Sequence, residues 1–323
     1  MLTVVCAPTD PADPPRNDPR PDEAQRLHAT WQRLGIPGAI DVHTHFMPHN
    51  VMAKVWAYFD RVGDHGGVEW PITYRTDEDD RVARLREFGV RRFTSMLYPH
   101  KPAMADWLNA WSADFAARTP DCLRTFTFYP EEGVGKAVAA ELDAGARIGK
   151  AHLQVGAYDP RDPLLDPVWG LLAESGTPLV IHCGSGPTPG PFTGPGPIGE
   201  VLRRHPDLRL VIAHLGMPEY AEFLDLADAH EGVHLDTTMV FTDFSEQTMP
   251  FPADLRPRLL DLGDRVLLGT DFPNIPHDYL HQVEALERLD LGEDWLRGVL
   301  HDNAAALFEV PAPGAGSIAD ERE

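Results

Sequence analysis

Cysteine is scarce in this 323-residue chain. Cys6, Cys122 and Cys183 are odd in number and far apart, which excludes a disulfide framework and suits a reducing, cytoplasmic setting. Positive charge is equally short, with 28 Lys and Arg against 50 Asp and Glu and a net charge of −22. No basic cluster offsets that balance, so a nucleic acid partner is not expected. There is no apolar run long enough for a membrane helix, and no basic start followed by an apolar stretch that would read as a secretion signal. A Gly-rich dinucleotide fingerprint and a P-loop lysine are missing too. What remains is an acidic chain, 43% hydrophobic, long enough to bury a large core and expected to act on a small molecule.

Residues 7–23 are rich in Pro and Asp and read as a loose arm, followed by a short helix over 22–35. We place residues 1–37 as arm and helix, 38–310 as one folded unit and 311–323 as a loose tail. After a first strand ending near His45, a long connection covers roughly 46–76, and Asp77–Phe88 reads as a helix with an acidic start. From there strands alternate with helices. The strands are Val90–Leu97, Leu123–Tyr129, Arg147–Val155, Pro178–Cys183, Leu208–Leu215, Val233–Val240 and Arg265–Asp271. With the first strand this makes eight βα units. Strict alternation implies parallel strands joined by right-handed crossovers, and eight such units predict an α/β fold, a closed (β/α)₈ TIM barrel with a long first βα loop. A doubly wound open sheet is the alternative.

Such barrels carry their chemistry at the carboxyl ends of the strands. Strand one ends in Asp41-Val-His-Thr-His45, strand five in Pro178-Leu-Val-Ile-His182, strand six in Val211-Ile-Ala-His214 and strand eight in Gly269-Thr-Asp271. Residues two apart on a strand share a face, so His43 and His45 project together. Buried imidazoles and carboxylates are costly unless paired or bound to metal, so polar ends converging on one mouth call for a joint explanation. His43, His45, His182 and Asp271 form a three-nitrogen, one-oxygen set suited to one divalent ion, Zn²⁺ first, with Mn²⁺, Co²⁺ or Fe²⁺ also acceptable. His214 then stands beside the ion to polarise a substrate oxygen or shuttle a proton.

These motifs, together with Asp302-Asn-Ala-Ala-Ala-Leu-Phe308, resemble the amidohydrolase superfamily over roughly residues 38–310. The resemblance is to its amidohydrolase-related branch, which holds aminocarboxymuconate semialdehyde decarboxylase, the resorcylate decarboxylases and pyrone dicarboxylate hydrolase. It implies metal binding by His43, His45, His182 and Asp271 and a catalytic role for His214. On strand four, Lys150-Ala-His152 resembles the Lys-x-His of hydrolase-like members. It leaves His152 as a residue beside the ligands or touching substrate, as a ligand, or as a structural residue.

On the long first loop Trp70 and Arg75 are candidate substrate contacts, the arginine as a clamp for a carboxylate, or else the loop's aromatics simply pack it onto the barrel. Asp236 on strand seven lines the site or closes a layer of the barrel. The leading expectation is hydrolysis of a small amide, ester or lactone through a metal-bound hydroxide, with Asp271 as base and His214 holding the oxyanion. The alternative is non-oxidative decarboxylation of a small aromatic or unsaturated carboxylic acid. A homodimer is compatible with such a barrel, though no residue marks its interface.

Overall fold

A computed structural model describes residues 19–63 and 67–310. The loose-tail expectation, most of the arm, Cys6 and residues 64–66 of the long first connection lie outside the described residues.

The strands are β1 (Ala39–Asp41), β2 (Val90–Thr94), β3 (Cys122–Leu123), β4 (Thr125–Thr127), β5 (Ile148–His152), β6 (Leu179–His182), β7 (Leu210–Ile212), β8 (Val233–Asp236) and β9 (Val266–Leu267). Each pairs in parallel with its neighbour in two runs, β1 to β3 and β4 to β9. The break between the runs is one residue, Arg124, whose carbonyl accepts from the Arg147 amide at 2.8 Å. β3 and β4 are therefore two halves of one stave. At the other seam the Val42 amide donates to the Leu268 carbonyl at 2.9 Å and the Asp271 amide to the His43 carbonyl at 2.9 Å. These bonds join β1 to β9 and close an eight-stave barrel.

The strands are shorter than the sequence suggests, because each leaves the ladder where its polar residues begin. The ring interior is filled by Ile40, Val42, Ile148, Val180, Val211 and Leu267, all fully buried, and Ala304 and Phe308 pack beneath them. Burying each such aliphatic side chain contributes roughly 1.5–3 kcal/mol. The helices, among them Glu23–Leu34, Ala105–Arg118, Asp166–Ser175 and Tyr220–Ala229, alternate with the strands along the chain. Pro257 sits in the first turn of the helix Arg256–Asp261, where its missing N–H costs nothing.

Two local features differ from the sequence reading. The long first loop contains a helix, His49–Phe59, of which Met52 alone is fully buried. Its aromatics hide the apolar period that would reveal it. In β1, Ile40 and Val42 face the aliphatic interior while Asp41 accepts from the Thr270 hydroxyl at 2.7 Å. The two-residue alternation slips after Val42, and that slip lets His43 and His45 face inward. Gly269 holds this corner open, since a Cβ there would lie 2.1 Å from Thr238 Oγ1 and 2.9 Å from the His43 Cβ.

Candidate metal centre and its cavity

The β1–β9 seam brings His43, His45 and Asp271 together. One donor atom from each lies within 4.8 Å of the others. Asp271 Oδ1 stands 3.0 Å from His45 Nε2 and 3.4 Å from His43 Nε2. The far ring nitrogens are already committed: His43 Nδ1 donates to Asp236 Oδ2 at 2.9 Å, and His45 Nδ1 donates to the Met96 carbonyl at 2.7 Å. Such backing fixes the tautomer and turns both Nε2 lone pairs toward the carboxylate. Three donor atoms converge here, and the Lys150 ammonium, 2.9 Å from His43 Nε2, is the positive charge facing them; a divalent ion would satisfy all three donors at once, so these residues fit one. Burial and the nearby Lys150 charge push His43 down to about 4, which keeps it neutral, as a ligand must be. Burial alone would raise Asp271, but His214, His43 and His45 outweigh it and hold the carboxyl far below its ordinary range.

Asp271 has φ 71° and His214 has φ 57°, in the left-handed region that non-glycine residues seldom adopt. Each costs roughly 1–3 kcal/mol and persists where surrounding bonds over-determine it. For His214 those bonds are its amide to Asp236 Oδ1 at 2.9 Å and its Nδ1–H to the Thr238 carbonyl at 3.1 Å. His214 Nε2 is thereby left for the cavity, with its ring centroid 5.2 Å from that of His43.

Asp236, expected to line the site or close a layer, holds two of its histidines at once. It is fully buried, and His43 and His214 outweigh desolvation to keep it charged, at about 2. Lys150 is also fully buried and donates from Nζ to His43 Nε2 at 2.9 Å. Burial pushes its amine down to about 8 against the pull of Asp236 and Asp271. The sequence signal for it was the spacing: Ile148, Lys150 and His152 share one face of β5, from aliphatic floor to mouth.

Register explains the next pair. His152 and His182 are partners across β5 and β6, and their rings stack 4.1 Å apart at 13°. His182 Nε2–H donates to the Gly186 carbonyl at 3.0 Å, so this ring stands beside the three-donor group, 4.9 Å by centroid from His214. Burial and neighbouring cationic groups push both His152 and His182 well below the ordinary histidine value.

His43, His45, Lys150, His152, His182, His214 and Asp271 open into one cavity of about 1170 Å³, with Asp236 behind them. Its walls are mainly apolar and aromatic, with Phe59, Trp70, Tyr98, Trp107 and Phe244 among them. His152 and Trp70 are among its lining residues, and the Trp70 indole donates to the Asn274 carbonyl at 2.6 Å. Arg75 does not line it. Its guanidinium is taken by Asp60 through two bonds, at 2.5 and 2.8 Å, and stacks over Trp56, so the carboxylate-clamp expectation for Arg75 is corrected.

A family model described as amidohydrolase matches residues 40–310. Among solved structures, an uncharacterised TIM-barrel protein from Bordetella bronchiseptica is 22% identical, with a TM-score of 0.68 over 84% of this chain and 98% of that one. A 2,6-dihydroxybenzoate decarboxylase from Rhizobium is 16% identical, with a TM-score of 0.59 over 85% and 99% of the two chains. A dihydroxybenzoic acid decarboxylase from Polaromonas, solved with manganese and 2-nitroresorcinol, is 16% identical, with a TM-score of 0.61 over 85% and 97%. At these identities the likeness establishes the fold. No curated protein matches the chain.

Proposed function

The chain belongs to the amidohydrolase family, and from that premise we propose that it is a metal-dependent carboxy-lyase acting on a small aromatic or unsaturated carboxylic acid. The observation that carries this reading is the cavity, where apolar and aromatic walls surround a histidine-rich centre with Asp271 as its one carboxylate. Such walls strip water from a bound carboxylate. Its charge disperses as the C–C bond breaks, so the lost hydration weighs on the ground state more than on the transition state. The two fold relatives that decarboxylate dihydroxybenzoates support the same choice. The reading therefore moves from hydrolysis, which the strand-end residues suggested first, to its alternative.

His43, His45 and Asp271 would hold one divalent ion, zinc or manganese; His182 would join them as a fourth ligand on giving up its Nε2–H bond to the Gly186 carbonyl or by offering Nδ1. When bound, the ion supplies positive charge that orients and partly neutralises the substrate's oxygens. The remaining work falls to the chain itself. The aromatic walls hold the planar acid and exclude water. Carbon dioxide leaves, the bonding electron pair stays on the ring or alkene carbon, and that carbon takes up one proton. His214, oriented through Nδ1 by the Thr238 carbonyl, is the group placed to deliver it.

Hydrolysis is kept as a second reading because of one observation: Asp271, the one carboxylate among the cavity-lining residues, stands 3.0 Å from His45 Nε2 and 3.4 Å from His43 Nε2, where an attacking water would meet a proton acceptor. Headspace CO₂ measured over a panel of hydroxybenzoates and unsaturated acids separates the two. Stoichiometric CO₂ with the decarboxylated arene is the expected result. Ester or lactone cleavage without CO₂ from any acid would replace it with the hydrolytic reading.

A further inference from the structure

Lysine is rare in this chain. The sequence contains four, Lys54, Lys101, Lys136 and Lys150, and the rest of its 28 Lys and Arg residues are arginines. Three of the four line the cavity, no arginine does, and Asp271 is the one carboxylate among the lining residues. Many of the arginines are instead engaged with carboxylates, as in Arg20–Asp278, Arg161–Asp159 and Arg258–Asp228. A chain of net charge −22 thus concentrates its lysines around one pocket.

The three lysines differ in place. Lys150 is buried at the centre against His43. Lys54, on the helix of the first loop, and Lys101, after β2, are exposed at the rim, and neither has a carboxylate or hydrogen-bond partner among the described residues. Beside them on the same rim stand Tyr58 and Trp107, which are 60% and 40% exposed. An ammonium on a flexible stem suits a small oxyanion, while the rings beside it offer a face to an aromatic or conjugated body. The volume of about 1170 Å³ exceeds what a single-ring acid occupies, so the rim lies within reach of a second group on the same molecule.

We infer that the substrate is a dianion. One acidic group enters the histidine centre, and a second carboxylate or phenolate is held at the rim by Lys54 and Lys101. This rests on the reading of the cavity as the substrate site and narrows its substrate class. The acidic surface elsewhere repels such a dianion, so the lysine-lined mouth is also the favourable point of entry.

The test is equilibrium binding by isothermal titration calorimetry on the metal-loaded protein, with isophthalate as the dianion probe and benzoate as the monoanion. Isophthalate is expected to bind about tenfold more tightly, as one charged hydrogen-bonding contact provides. That advantage shrinks in Lys54→Met and in Lys101→Met and vanishes in the double variant. It persists in Lys136→Met, whose lysine lies outside the cavity. In the wild type it also falls as salt is raised to about 0.2 M, since exposed charges are screened over about 8 Å. Equal affinity for the two probes, or an advantage that survives the double variant, would overturn the inference. A protein that binds isophthalate through these lysines but releases no CO₂ from any acid would refute the proposed reaction and leave the dianion site standing.

Discussion

Asp271→Asn is expected to lower kcat/KM by about a thousandfold or more, a loss set by removing one anionic donor from the centre. The amide keeps the shape of the side chain but not its charge, and among the lining residues no other carboxylate faces the cavity to take its place. The substituted group also faces His45 Nε2 at 3.0 Å and His43 Nε2 at 3.4 Å, where its NH₂ can donate to the lone pairs that a metal would otherwise use. The backbone tolerates the change, because asparagine accepts the left-handed φ of 71° at this position as readily as aspartate. Steady-state kinetics in saturating zinc or manganese, with circular dichroism to verify the fold, measures the effect. A variant within tenfold of wild type would remove Asp271 from the chemistry.

His214→Asn isolates the proton-transfer step. Asparagine is again the replacement the backbone permits, at φ 57°. It keeps the amide that donates to Asp236 but loses the imidazole nitrogen turned to the cavity. The expected outcome is a fall in kcat of about 10²–10⁴, the range of a positioned acid or base, with metal content unchanged. A solvent deuterium effect and the pH profile of kcat, compared between wild type and variant, read whether proton delivery is what was lost. If metal content falls together with activity, His214 is holding the ion and not the proton.

The eight-unit rhythm was legible because parallel barrel strands are apolar on both faces and stop abruptly at polar residues. Leu-Val-Ile-His182 and Leu210-Val-Ile are such cases, and their strands end within a residue or two of the histidines they deliver. The histidine pair of β1 was legible too, but for an incomplete reason: plain alternation would have continued from Ile40 and Val42, and a slip in the backbone turns His43 inward. Asp236 was harder to place because an aspartate on a strand carries no mark of its hydrogen-bond partners. Its two oxygens serve His43 and the His214 amide, from β1 and the segment after β7, and only the closed ring makes those neighbours. Arg75 failed for the opposite reason. An arginine near a rim is attracted to the nearest carboxylate, and Asp60, fifteen positions earlier, is closer than any ligand.

Metal content by inductively coupled plasma mass spectrometry, on wild type and on His43→Ala, His182→Ala and Asp271→Ala after incubation with zinc or manganese, tests the central claim most directly. The account predicts about one divalent ion per wild-type chain, with the ion lost from the His43 and Asp271 variants and weakened or lost in the His182 variant. A wild type that takes up neither metal, or variants that retain a full ion, would contradict it.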